Sequence, residues 1–207
     1  MAHLLRETPS QTVGPFFAYS LTAEQYGYPY TSLMNHAMVS DQTPADYAAS
    51  ERIFIQGRVY DGQGNPIPDA VVELWQADPQ GHYRLAPIGP RNGQPGFTGF
   101  GRMGTGTLPD GQFRFTTLKP GVVAGANAAP YINVTLFMRG SLRGLFTRLY
   151  FSDEVDANAQ DALLNSVDPA RRHTLLAHRE DQNGQLTYTF NLHMQGDNET
   201  VFFAFAP

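Results

Sequence analysis

Cysteine is absent from the 207 residues. That excludes disulfides, thiolate metal sites and a Cys nucleophile, and it fits a reducing compartment. Charge is also sparse, with 16% charged residues and a net charge of −5. No basic stripe exists, so nucleic acid is not an expected partner. No apolar run approaches the length of a membrane span. The stretch from Met1 to Gln11 lacks an apolar leader segment, so no export signal is expected and the cytoplasm is the expected location. Two Asn-x-Thr triplets, at Asn133 and Asn198, therefore read as chance matches. There is no Walker loop, no HExxH and no GxSxG.

Aromatic and turn-forming residues are plentiful. The chain has 14 Phe, 10 Tyr, 20 Gly and 15 Pro, and 42% of it is hydrophobic. Enough apolar material exists for a core, and frequent turns imply many short strands. The clearest strand runs from Tyr131 to Arg139. Ile132, Val134, Leu136 and Met138 alternate with Tyr131, Asn133, Thr135, Phe137 and Arg139. A period of two predicts a half-buried strand. One face is core. The other is solvated, or lines a cleft or a partner surface. Arg139, at its end, is either salt-bridged or a carboxylate-binding fork.

Further strands are predicted at Arg52 to Tyr60, Ala70 to Trp75, His82 to Leu85, Phe113 to Thr117, Thr147 to Phe151, Leu186 to Gln195 and Val201 to Phe205. Trp75, the single Trp, is expected to pack in the core. Residues 1–20 are expected to be irregular, yet Phe16, Phe17 and Tyr19 favour burial on this domain or another chain. Residues 21–50 read as a loop with one helical turn at Pro44 to Ser50. Residues 86–107 read as a long loop. Within it Gly99 to Gly104 matches GxGxxG, but no strand is expected before it and no helix after it, so a dinucleotide site is not supported. Helices are expected only late. One is capped at Ser152 or Asp153 and ends near Leu164; the other spans Ala170 to His178 after Asp168-Pro169. The sum is an all-β chain, an antiparallel β-sandwich of about eight strands with a helical insertion near 153–178, forming one domain over 1–207. The six histidines show no metal-ligand spacing.

Four separated stretches carry a resemblance. Glu7 to Phe16 (ETPSQTVGPF), Leu74 to Tyr83 (LWQADPQGHY), Phe113 to Gly121 (FRFTTLKPG) and Gly196 to Phe203 (GDNETVFF) resemble, in order, the intradiol ring-cleavage dioxygenases. The resemblance implies a β-sandwich that opens a catechol with O2, using ferric iron held by two Tyr and two His. The ligands do not carry over to this chain. Where catalytic members have a Tyr after Lys-Pro-Gly, Val122-Val123 stands; where they have His-x-His, Tyr131-Ile132-Asn133 stands; and Leu85 to Gln94 holds no Tyr. Tyr131, Asn133 and Val123 are thus vestigial ligand positions, and no metal is expected on this chain.

The resemblance implies a two-chain arrangement in a higher-order hetero-oligomer. An iron-bearing beta chain of the same fold would hold the ferric ion, and the substrate would be a small aromatic, protocatechuate, with O2. The N-terminal arm (1–20) would pack on that partner. Thr12, Gly14, Pro15 and Arg139 would reach its substrate cleft. Two alternatives stay open: a homomeric dioxygenase with an unusual iron site at Tyr131, and a non-enzymatic binding module.

Overall fold

A computed structural model describes residues 8–30, 35–83, 96–123 and 125–204. Among the described residues there are nine strands: β1 (Arg52–Tyr60), β2 (Val71–Gln76), β3 (Phe100–Gly104), β4 (Gln112–Leu118), β5 (Tyr131–Phe137), β6 (Leu145–Phe151), β7 (Leu176–Gln182), β8 (Gln185–Thr189) and β9 (Leu192–His193). They join in one continuous order, β3-β2-β5-β6-β7-β8-β1-β4, with β9 alongside β1. The sheet is mixed rather than wholly antiparallel as expected. β1 pairs in parallel with β8 and β9, and β6 with β7.

β7 explains how one sheet makes two layers. Its first two residues, Leu176 and Ala177, pair with Tyr150 and Phe151 of β6. Its remainder, His178 to Gln182, pairs with β8. The halves fold together over one core. Ile53 and Ile55 of β1, Phe113 and Phe115 of β4 and Tyr188 of β8 meet Val72 and Leu74 of β2, Ile132, Val134 and Leu136 of β5 and Phe151 of β6. Alternation sends these side chains to one side of each strand.

Several elements differ from expectation. The GxGxxG stretch is strand β3, not loop, and its glycines serve packing. A Cβ on Gly101 would meet Met38 Cγ at 2.6 Å, and one on Gly104 would meet the Tyr26 hydroxyl at 2.4 Å. The segment before β1 lies against β3 where side chains are missing. That segment holds the expected turn, as a 3-10 turn at Ala45–Tyr47. The arm is not wholly irregular, because Pro15 presets φ −62° and opens helix α1 (Phe16–Leu21). The expected helix at Ala170 to His178 is a 3-10 turn (Arg172–Leu175) followed by β7. Ladder pairing to β6 and β8 overrides a good cap signal.

The other expected helix is split into α2 (Val155–Gln160) and α3 (Ala162–Ser166). Asp161 between them is extended, and its carboxylate accepts from Leu164 N as the cap of α3. The single strand expected at Leu186 to Gln195 breaks at Phe190 and Asn191. There the Asn191 side chain accepts from Arg58 N and the strand resumes as β9. His82 and Tyr83 are not in a strand, and Val201 to Phe205 is reduced to one bridge, Phe146 to Phe203. Arg84, Leu85, residues 86–95 of the 86–107 loop and Phe205 lie outside the described residues. Among the described residues no helix is long and apolar enough to cross a membrane.

Candidate functional site

The outward face of the β3-β2-β5-β6 layer carries the polar side chains of β5. Antiparallel partners share a face, so the register builds a row of Phe100, Trp75, Asn133 and Arg148 across four strands. Trp75 is therefore not core; it is 46% exposed, with its ring 4.7 Å from that of Tyr83. Its parity with Glu73, not its apolar character, sets its direction. Arg102 beside it pairs with Glu73 at 2.6 Å.

At the start of β5 this face becomes a closed polar cluster. Asn133 Nδ2 donates to the Tyr83 hydroxyl at 2.8 Å and to the Trp75 carbonyl at 3.2 Å. The phenols of Tyr83 and Tyr131 are close neighbours. The Arg148 guanidinium lies 3.8 Å above the Tyr131 ring. The Tyr150 hydroxyl, with the Arg148 guanidinium nearby, donates to buried Asp161 Oδ1 at 3.1 Å. The other Asp161 oxygen accepts from Ala129 N at 2.9 Å. Burial pushes the Tyr83 phenol far above the ordinary tyrosine range, and the neighbouring Tyr131 phenol adds to this. Burial, then the nearby Asp161 charge, raises Tyr150 likewise. Val123 is half-buried against the apolar cluster that contains Tyr131 and Tyr150.

The donors here do not suit a ferric ion. The ferric ion that the resemblance implies would call for tyrosinates and imidazoles, whereas the Tyr83 and Tyr150 phenols are pushed toward their protonated form. The Asn133 amide spends its N–H groups on protein acceptors, Val123 offers nothing, and a guanidinium already supplies positive charge. Among the described residues no cluster of three His, Asp or Glu is placed to hold a metal.

The second group of predicted residues lies at the other end of β5. Thr12 Oγ1 accepts from Gly140 N at 2.9 Å, which brings the arm to the strand's exit. The Gly14 carbonyl accepts from Phe17 N at 3.1 Å, and Pro15 leads into α1. Phe17 packs on Phe137 with centroids 5.4 Å apart, while Phe16 stands 74% exposed. Arg139 is ion-paired with Asp69, yet its side chain is 59% exposed. Thr12, Gly14, Pro15 and Arg139 thus gather at one corner, and Tyr131, Asn133 and Val123 gather apart from it. Sequence reasoning missed Arg148, Tyr83, Trp75 and Asp161 as members of the cluster. The hairpin β5–β6 held the signal for Arg148, since its register opposes Arg148 to Asn133.

Solved structures share this doubled-over β architecture. The dioxygenase domain of a dioxygenase and carbohydrate-binding fusion from Streptomyces sp. SirexAA-E superposes with a TM-score of 0.59 at 26% identity, over 91% of this chain and 97% of that one. A family model described as Dioxygenase matches residues 26–196. The chain belongs to the intradiol ring-cleavage dioxygenase family. Among curated relatives, the protocatechuate 3,4-dioxygenase alpha chain of Burkholderia cepacia is 48% identical over 96% of this chain and 98% of its own length. The alpha chain of the same enzyme from Pseudomonas putida is 43% identical over 98% of each. The beta chain from Burkholderia cepacia is 28% identical over 86% of this chain and 79% of its own length.

Proposed function

We propose that this chain is the alpha subunit of a protocatechuate 3,4-dioxygenase, in which a homologous beta chain holds the ferric iron. The complex opens protocatechuate with O2 to 3-carboxy-cis,cis-muconate. Full-length similarity to named alpha chains supports the assignment. The observation that carries the division of labour is the cluster at Tyr83, Tyr131, Asn133 and Arg148, where protein groups satisfy one another in place of a metal. When bound in the partner, the ferric ion supplies the activation of the catechol toward oxygen. This chain's residues shape a wall of that cleft.

Thr12, Gly14, Pro15 and Arg139 are the groups we assign to the wall. Thr12 anchors the arm to Gly140, and the half-free Arg139 fork presents positive charge to an anionic substrate or to the polar network around it. Exposed Phe16 docks on the beta chain.

Co-expression with and without a beta chain tests the assignment. Iron, the visible tyrosinate band and protocatechuate-dependent oxygen uptake are expected only with the partner. A chain that binds iron and turns over alone overturns it. Within the assembled enzyme, Arg139→Ala is expected to raise the Michaelis constant or lower turnover by roughly tenfold, the cost of one charge-assisted contact. An unchanged value of both removes Arg139 from the cleft.

A further inference from the structure

A cavity of ≈ 160 Å³ opens where β8 stops and β9 begins. The chain breaks its strand at Phe190 and Asn191, and the segment after β9 folds back. His193 N donates to Thr200 Oγ1 at 2.9 Å, and Val201 N donates to Thr174 Oγ1 at 3.3 Å. That return brings Asn198 beside the 3-10 turn. The lining includes His173 from the turn, His178 from β7, Thr189 from β8, Asn191 from the break, His193 from β9 and Asn198 from the return.

The free groups in this lining are mostly donors. Asn191 Oδ1 accepts from Arg58 N at 3.1 Å, which leaves the amide N–H groups. Asn198 Oδ1 lies 3.4 Å from His173 Nε2, so its amide is likewise left as a donor. Thr189 Oγ1 accepts from Gln56 Nε2 at 3.3 Å and keeps its O–H. Among the described residues the rings of His178 and His193 have no hydrogen bond or ion pair, and His193 is held by stacking on Tyr60 with centroids 4.9 Å apart. Among those residues no Asp or Glu lines the cavity.

The charges around it are spent elsewhere. Arg171 pairs with Glu199 at 3.6 Å, Arg179 with Asp153 at 3.8 Å and Arg58 with Asp110 at 3.7 Å. Arg172 donates to the Asn165 and Val167 carbonyls, while Glu180 and Asp197 are exposed outside the lining. Donors without a carboxylate, beside imidazoles that take up protons between about pH 8 and pH 5, suit a compact anion with several acceptor atoms. The volume exceeds what one water needs and falls short of a drug-sized site, about 300 Å³ and up.

We propose that this cavity binds a small tetrahedral oxyanion of the sulfate and phosphate class, through the Asn191 and Asn198 amides, the Thr189 hydroxyl and the His178 and His193 rings, with His173 orienting Asn198. The inference does not rest on the two-chain assignment, because every group belongs to this chain.

The histidine ring protons report the site directly in nuclear magnetic resonance. The full chain is titrated with sodium sulfate against a constant chloride background at about pH 6 and about pH 8; sulfate is a dianion at both, so a change of affinity belongs to the protein. Saturable shifts are expected at His173, His178 and His193 and not at His3, His36 or His82. Affinity should fall roughly tenfold or more at the higher pH, as imidazolium charge is lost. Inorganic phosphate should compete. Methyl phosphate binding tighter than phosphate would assign the ligand as a phosphoryl group on a larger molecule, and the reverse order as the free ion; either supports the site. His178→Gln, at an exposed position, should weaken sulfate by about tenfold with the unfolding midpoint unchanged. Asn191→Asp keeps an acceptor for Arg58 N but puts a carboxylate in the cavity, and should cause at least the same loss. No saturable shift at the lower pH overturns the proposal. So do equal shifts in all six histidines, equal affinity at both pH values, or undiminished affinity in the two variants.

Discussion

The two ends of β5 differ in how their polar groups are spent. At the Tyr131 end the polar groups are spent on protein partners: Asn133 donates to Tyr83 and Trp75, Arg148 covers the Tyr131 ring, and Tyr150 donates to buried Asp161. At Arg139 and Gly140 the contacts are few, and the groups face outward with Phe16 beside them. The difference separates stability from recognition along a single strand. Damage at the first end should unfold the chain. Damage at the second should leave the chain folded and change what it assembles with.

The sharpest break comes from Asp161. Asp161→Ala orphans Ala129 N, Leu164 N and the Tyr150 hydroxyl together, at a cost of about 3 kcal/mol or more. Denaturant unfolding should show it. A loss below about 1 kcal/mol would mean that the cluster does not secure the fold.

Phe16→Ala at the opposite end should leave the unfolding midpoint where it is. It should instead weaken the complex with a beta chain by roughly thirtyfold, the worth of about 2 kcal/mol of aromatic burial. Sedimentation of the mixed chains at falling concentration measures this. A shifted midpoint with unchanged assembly would reverse the comparison.

Alkaline titration sharpens the contrast further. Tyr83 and Tyr150 ionise in the folded chain only well above the ordinary tyrosine value of 10.0. Tyr188 is pushed up to about 12, chiefly by burial. The unfolded chain therefore releases these protons first. Their contribution is intact below pH 10 and is lost as pH rises above it. Tyr83→Phe should shallow this alkaline fall at a cost near 1 kcal/mol at neutral pH, and Arg139→Ala should leave its slope unchanged. Unfolding free energies at stepped pH decide between them. The smallest effect is expected from Thr12→Val, which loses one exposed bond to Gly140 for roughly 0.5 kcal/mol. Hydrogen exchange at Gly140 should quicken while the rest of the chain stays as it was.

Much of this organisation is legible in the residues. β1 runs from Arg52 to Tyr60 where the alternation placed it, and the inward side of β5 is core as its period implied. What escapes is set by partners distant in sequence. Leu176 to Gln182 becomes a strand because β6 and β8 offer it ladders, which no local cap can announce. The glycines of β3 look like loop until Met38 and Tyr26 are seen against them. Trp75 looks apolar and hence buried, but its parity with Glu73 turns it outward. In the cluster, the family resemblance singles out Tyr131 and Asn133. It does not single out Arg148, whose meaning comes only from lying across the ladder from Asn133.

The placement of β1 carries a consequence in time. Its neighbours are β4 on one side and β8 and β9 on the other, so an early segment of the chain waits for a late one. Until Thr187 to Thr189 is available, the Phe54 to Gln56 edge has unpaired N–H and C=O groups beside an apolar face. Such non-local closure slows folding and exposes a sticky edge during synthesis. Chains truncated before Gln185 should therefore aggregate even though most of the strands are present.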